Sequence, residues 1–409
     1  MPVPAHEVFR SVSESASMMF TGGELKVKEA DSSAGFAVRA LVDGRLGFAY
    51  CQEEHQLKKA LEDAAKASRF SAKTKFSFAP KADYILPHTY DQSLDPEDYV
   101  ALRDMVAEAR TTAESRGGKA RIMLSTDRFG VELENSEGFN GRYRKTGFSI
   151  YVECMHGDGY GFSFLASYKK PKEVHSLGQK AADMAKAMQG AHKPESGAYT
   201  VVFEPEALSS LIGILLPSFS GDWRRRKMTK LQCGKKIFSE SLTICDDGFA
   251  HGGAVQPFDD EGIPSKRRFL VERGVVRSFL YDRETAALEG VAASGSCGRE
   301  GYDTPPSISA SNTVISPGTW KDFHALGKHI ELHYAHGAHT ANVTTGDFGL
   351  EASVAFLVDG KERKPLKGFM VTGNIFELFA NIAAMEKEQQ VHDDLITPRI
   401  AFRDVKIVS

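Results

Sequence analysis

A polar octapeptide near the middle of the chain sets the strongest constraint on its fold. Residues 190–197, GAHKPESG, hold Pro194 and a glycine at each end. Proline lacks an N–H and fixes φ, while glycine leaves the backbone loose, so the segment neither extends a helix nor sits well in a sheet. At 409 residues the chain is too long for one core at roughly 150 residues per domain. The boundary is therefore placed here, with one domain over 1–194 and a second over 195–409.

Periodicity differs on the two sides. Phe36, Val38, Ala40 and Val42 alternate, Asp43-Gly44 signals a turn, and Leu46, Phe48 and Tyr50 alternate after it. A helix is expected over 54–70, with Leu57, Leu61, Ala64, Ala65 and Ser68 on one face. A second is expected from Asp95, which can cap it, with Pro96 in the first turn and Leu102, Val106, Ala109 and Ala113 in its stripe. Strands are expected within 120–168, turning at Ser136-Glu137-Gly138 and Gly157-Asp158-Gly159, and a third helix over 172–189. Beyond the boundary a strand over 199–203 leads, after 205–219, into mostly short strands up to 372, with a hairpin turning at Arg273-Gly274. A short helix at 376–384 and a strand over 400–408 complete the pattern. The fold class is α+β, with an α+β N-terminal half and a strand-rich C-terminal half.

A formal net charge of −3 argues against nucleic acid as a direct partner, because phosphate binding needs concentrated positive charge. The basic run Arg224-Arg225-Arg226-Lys227 reads as a solvated loop. The five cysteines are odd in number and form no CxxC pair, which fits reduced thiols in a cytoplasm. The most apolar stretch, 208–219, is broken by serines, Gly213 and Pro217 and falls short of the ~20 residues that span a bilayer. With no leader-like N-terminus either, the expectation is a soluble cytoplasmic protein without a membrane partner.

Chemistry-bearing groups are few. There is no GxSxG elbow, and Cys297, in the glycine-rich turn Gly295-Ser296-Cys297-Gly298, has no arguable base. Gly157-Asp158-Gly159-Tyr160-Gly161 precedes a strand, whereas phosphate cradles need a helix N-terminus. His329, His333, His336 and His339 could bind a transition metal, yet Gly337 and the threonines after it suit strand and turn histidines. His251 and the acids Asp259, Asp260 and Glu261 could hold a cation or orient a peptide, or could form a charged turn whose carboxylates cap backbone N–H groups. From residues alone, this is a two-domain protein with scattered metal hints and no named activity.

Several strings resemble one family, in order along the chain. GFAVRALVDGRLGFAY, the turn Asn135-Ser136-Glu137-Gly138, PFDDEGIPSKRRFLVERGVVRSFLYDRETAA and TTGDFGLEASVAFLVDGKERKPLKGFMVTGNIFELFANI are similar to strings of the TldD/PmbA family. Together they reach from about residue 35 to 382. The resemblance implies a two-domain fold with an N-terminal sheet and helices and a barrel-like C-terminal domain. It implies intracellular metallopeptidase activity on unfolded or small peptides, in complexes of two related chains. One chain type carries HExxxH on a helix plus a distant cysteine, which together hold a metal; the PmbA or TldE type does not.

Counted back without gaps from Gly221-Asp222, that motif falls on 212–217, where Ile212, Gly213 and Pro217 stand in place of His, Glu and His. No histidine lies between His192 and His251, and no cysteine follows Cys297. The resemblance thus implies a subunit with no catalytic residue and no cofactor of its own, whose TldD-type sister chain carries HExxxH and zinc. Chamber-lining candidates for an extended peptide are His251, Asp259, Asp260, Glu261, Arg299, Thr345, Gly346 and Asp347. Two other readings stay open: an autonomous metallohydrolase using the 329–339 histidines, and a non-catalytic peptide-binding or modulator protein. Self-association of the chain when alone also stays open.

Overall fold

The computed structural model describes residues 4–409. The first part of the chain forms β1 (Ala5–Thr21), β2 (Glu24–Val42), β3 (Arg45–Cys51), α1 (Leu57–Ala67), α2 (Tyr99–Glu114), β4 (Lys119–Asn135), β5 (Asn140–His156), β6 (Gly159–Ser167) and α3 (His175–Ala187). Its six strands make one antiparallel sheet in the order β3-β2-β1-β4-β5-β6. Strand alternation sends successive side chains to opposite faces. One face buries Ala16, Met18, Ile122, Leu124, Ile150 and Val152 under α2 and α3, and Val38 and Ala40 under α1. Gly161 and Gly178 let α3 approach β6 and α2 closely, since a Cβ at either would collide with the carbonyl oxygen of Ala181 or Ala109.

The second part contains β7 (Gly197–Phe203), α4 (Pro205–Leu215), α5 (Gly221–Arg225), β8 (Ile244–Asp247), β9 (Arg267–Glu272), β10 (Val275–Val276), α6 (Arg283–Glu289), the two-residue strands β11 (Cys297–Gly298) and β12 (Ser307–Ile308), and β13 (Asn312–Ile315). It continues with β14 (His329–His336), β15 (Asp347–Asp359), β16 (Glu362–Leu366), β17 (Phe369–Asn374), α7 (Ile375–Ala380), β18 (Ile382–His392) and β19 (Leu395–Val408). The order β19-β17-β15-β14-β7 closes on itself because β7 also pairs β19, which makes a five-stranded barrel. From β19 the sheet runs on through β13, β8, β9 and β10. The helix α4 lies against β14, β19 and α7, burying Leu208, Leu211, Ile212 and Leu215 with Phe203, Leu350 and Phe402 in the largest core.

Several local expectations are corrected. The strand β1 was not expected; its serines at 11, 13, 15 and 17 hide the alternation. The second helix is capped by Asp98, whose carboxylate accepts from Ala101 N, while Asp95 holds an Asx turn to Glu97 N. The basic run is not a free loop. Arg224 and Arg225 end α5, Arg224 donates to Tyr281 and Glu289, and Asp222 pairs with Arg225 and Arg226. Cys297 is buried, and burial pushes its thiol pKa well up, so it is no exposed nucleophile.

Candidate functional site

The candidate residues fall in four places rather than one. The acidic turn lies between the first sheet and the barrel half, where Phe258 packs into a cluster with Phe9, Val131, Leu133, Phe139 and Tyr143. Asp259, Asp260 and Glu261 are all buried, and so is Arg299. Asp259 Oδ1 accepts from the N–H groups of Glu261 and Ile263 at 3.1 and 2.8 Å, so the turn does cap its own backbone. It is nevertheless no solvated turn. Glu261 accepts from Arg39 Nη1 at 2.6 Å and from Arg283 N at 2.6 Å. Arg39 also grips Glu7, its cross-strand partner, through two bonds of 2.9 Å, and Arg299 donates to Glu7 at 2.9 Å. The Arg299 N–H donates to Asp260 at 2.7 Å.

These buried charges shift one another. Burial works against the Arg39 cation, but Glu7 and Glu261 outweigh it and hold its pKa above the ordinary value. Burial pushes the Asp259 carboxyl well up, helped by the charge on Glu261, and raises Asp260 to about 6. The carboxylates of Glu7, Asp260 and Glu261 are packed among the side chains of Arg39, Arg283 and Arg299. Such a cluster resists extraction of any one member, because the remainder would be buried and unpaired. Asp259 Oδ2 and the Nε and Nη1 atoms of Arg299 have no hydrogen-bond partner among the described residues.

The second place is the turn Thr345-Gly346-Asp347, in which Asp347 is exposed, Thr345 half-buried and Gly346 buried. Asn374 Nδ2 donates to Thr345 O and Asp347 Oδ1 at 2.9 and 2.8 Å, and the Thr345 hydroxyl donates to Asp347 at 2.7 Å. Gly346 takes φ 87°, which favours glycine. The third is His251, whose Nδ1 lies 3.0 Å from the Tyr168 hydroxyl at the junction of the two halves. On one side His251 lines a cavity of about 350 Å³ with Asp247, Arg267 and Gln389. On the other, Tyr168 lines a cleft of about 340 Å³ with Asp127, Lys145 and Asp393.

The histidine row is the fourth. It does follow a strand, with a register shift after Leu332, and His333 lies 3.1 Å from Arg363 and 3.9 Å from Glu331. His329 is buried with Nδ1 2.7 Å from Gly327 O. His333 and Arg363 hold the Glu331 carboxylate down at about 2, against its burial. His336 packs on the Tyr334 ring, and His339 sits in the turn after the strand. Among the described residues, no group of three or more His, Cys, Asp or Glu side chains is placed to hold a metal ion.

A fifth pair had escaped the sequence reading. Glu206, in the first turn of α4, lies 3.3 Å from His392 Nδ1, and Phe164 of β6 packs on that imidazole. Burial raises the Glu206 carboxyl to about 7 and depresses His392. Both shifts favour the neutral forms of the two groups. Nothing local marks either residue, since only the folded chain joins position 206 to position 392.

Helix α4 matters because of where it stands. It follows the strand β7 and precedes Gly221-Asp222, the place where the family motif would lie. Its Ile212 is packed into the core, and Pro217 sits in the 3₁₀ turn after it. Ile212, Gly213 and Pro217 offer no side-chain lone pair, so this stretch does not fit a zinc ion.

Comparison with known proteins agrees with this architecture. Residues 6–72 match the PmbA/TldA metallopeptidase domain 1, residues 90–189 the central domain and residues 196–409 the C-terminal domain. The chain belongs to the PmbA/TldD metallopeptidase family. A relative named metalloprotease, from Methanothermobacter thermautotrophicus, is 27% identical over 409 aligned residues, covering 92% of this chain and 86% of the relative. Among solved structures, TldE from Thermococcus kodakarensis superposes with a TM-score of 0.91 at 24% identity, covering 99% of this chain and 97% of that one. A putative modulator of a DNA gyrase from Thermotoga maritima gives 0.92 at 21% identity, covering 99% and 96%. These PmbA/TldD structures share the fold of this chain. No helix among the described residues is long and apolar enough to cross a membrane.

Proposed function

We propose that this chain is the PmbA/TldE-type subunit of a two-chain PmbA/TldD peptidase. In this reading the sister chain carries HExxxH and its zinc, and the C-terminal half of this chain packs on it to help enclose the chamber. The substrate is an unfolded or small peptide held in extended form.

The observation that carries the reading is the composition of α4 and the turn after it. A hydrolytic zinc site needs imidazole or carboxylate ligands and a glutamate to take a proton from the bound water. Ile212, Gly213 and Pro217 supply neither, and no histidine lies between His192 and His251. Peptide hydrolysis therefore depends on a second polypeptide. His251 and Asp347, with the half-buried Thr345 beside it, are the accessible candidates for contact with peptide. Asp259, Asp260, Glu261 and Arg299 would act by holding the two halves in register.

The test is to assay an unstructured peptide with this chain alone, with an HExxxH-bearing family member alone, and with the mixture, each with and without chelator. Chelator-sensitive cleavage by the mixture only is the expected result. Cleavage by this chain alone would overturn the reading. Peptide binding without cleavage in any mixture would favour a binding protein instead.

A further inference from the structure

Helices α1 and α2–α3 cover the two ends of one face of the six-stranded sheet and leave its middle rows uncovered. In one row Arg10, Glu132 and Arg142 stand side by side on β1, β4 and β5, and in the next stand Val12, Gly130 and Arg144. The missing side chain at Gly130 leaves a floor, and Leu86, Pro87 and Tyr90 of the extended segment before α2 form a wall. The resulting cavity holds about 620 Å³. A second of about 370 Å³, reaching towards Phe36 and Leu57, shares Arg10, Glu132 and Arg142, so the two form one trough.

The trough is polarised: Glu54 and Glu134 line the smaller cavity, whereas three arginines and one glutamate line the larger one, which is its basic end. Arg10 donates to Glu132 at 3.2 Å. The Arg142 and Arg144 guanidinium groups have no carboxylate partner among the described residues; Arg144 lies over the Tyr90 ring at 4.2 Å. Beside them Ile85 and Leu86 are 70% and 57% exposed. Unpaired guanidinium groups fork naturally onto carboxylates, and exposed aliphatic side chains beside them call for an apolar partner. A small anion would leave the apolar wall uncovered, and a plain apolar segment would leave two cations unmatched.

We propose that the larger, basic cavity of this trough docks an extended acidic peptide, with carboxylates on Arg142 and Arg144 and aliphatic side chains against Leu86 and over Gly130. The docking needs neither a sister chain nor hydrolysis, so it stands or falls separately from the function proposed above.

The test titrates the full chain into a fluorescein-labelled decapeptide of alternating Glu and Leu, and into its Gln-Leu counterpart, with fluorescence anisotropy as readout. The acidic peptide is expected to bind about tenfold tighter at low salt, with most of that preference lost once the Debye length falls to roughly 5 Å. The variant R142E/R144E should abolish the preference. Gly130→Leu keeps every charge, and its Cβ meets Arg144 Cγ at 3.7 Å and Tyr143 O at 4.0 Å, ordinary contacts, so it should fold and weaken both peptides by filling the floor. Equal affinity for the two peptides, or unchanged binding by R142E/R144E with native circular dichroism, would overturn the proposal. If Gly130→Leu fails to fold, the exposed arginine pair still decides the question.

Discussion

The buried ion network predicts its own fragility. Consider Arg39→Met, which keeps an unbranched stem of similar length and removes the guanidinium. Arg39 makes three hydrogen bonds of 2.6–2.9 Å to two carboxylates and is 3% exposed. After the substitution Glu7 keeps only Arg299, and Glu261 keeps only the N–H of Arg283. Removing one partner from a buried ion pair costs about 3–5 kcal/mol, because the other charge is left desolvated. That is a large part of a typical total of about 5–15 kcal/mol. Urea unfolding followed by circular dichroism reads the loss as a lower midpoint. Arg10→Met is the control, because Arg10 and Glu132 are 47% and 55% exposed and solvent screens them to about 1 kcal/mol or less. Adding Glu261→Gln to Arg39→Met should recover part of the loss, since Glu261 is then held only by a backbone N–H. If Arg39→Met costs no more than Arg10→Met, the interior charges are solvated and the reasoning fails.

Other outcomes follow from the same structure. Burial raises the folded Glu206 carboxyl to about 7, so its protonated form contributes stability below the ordinary carboxylate range that is lost as pH rises towards 7. Glu206→Gln should therefore gain stability relative to the parent at pH 8 but not at pH 4, and parallel urea midpoints across that range would contradict the assignment. In brief alkylation of the folded chain with iodoacetamide, mass spectrometry should find Cys233 modified and Cys51, Cys154, Cys245 and Cys297 protected, because only Cys233 is exposed. The metal content of the chain purified alone should be the same in a His333→Ala/His336→Ala variant, since those side chains engage Arg363 and Tyr334. A stoichiometric metal lost in that variant would support a metal centre within this chain.

What could be read from sequence was whatever repeats over a few residues. The helix stripes reappear in α1 and α2, and Val38 and Ala40 in β2, because periodicity and burial coincide there, whereas in β3 Gly47 and Cys51 are buried and Tyr50 is exposed. The strand β1 failed that test, since hydroxyl-bearing residues occupy every second position from Ser11 to Ser17. Asp95 and Asp98 are both plausible caps, and only the path of the chain decides between them. Local spacing correctly made Asp259-Asp260-Glu261 a turn. It could not show that Glu7 and Arg39, more than two hundred residues earlier, would bury it. The same holds for Glu206 with His392, and for the trough, whose three arginines come from two strands far apart in sequence.

One feature of the barrel bears on how the molecule is made. Its staves β7 and β19 are neighbours in space, yet β7 is synthesised first of the five and β19 last. Until residues 395–408 exist, β7 and β17 each present an unsatisfied edge, and loop closure over so long a stretch is slow. The six-stranded sheet has no such wait, because all its strands are complete by Ser167. Folding during synthesis should thus leave a first sheet with all its strands paired, though still lacking Phe258 and Glu261, tethered to an open, aggregation-prone half-cylinder until the final stave arrives.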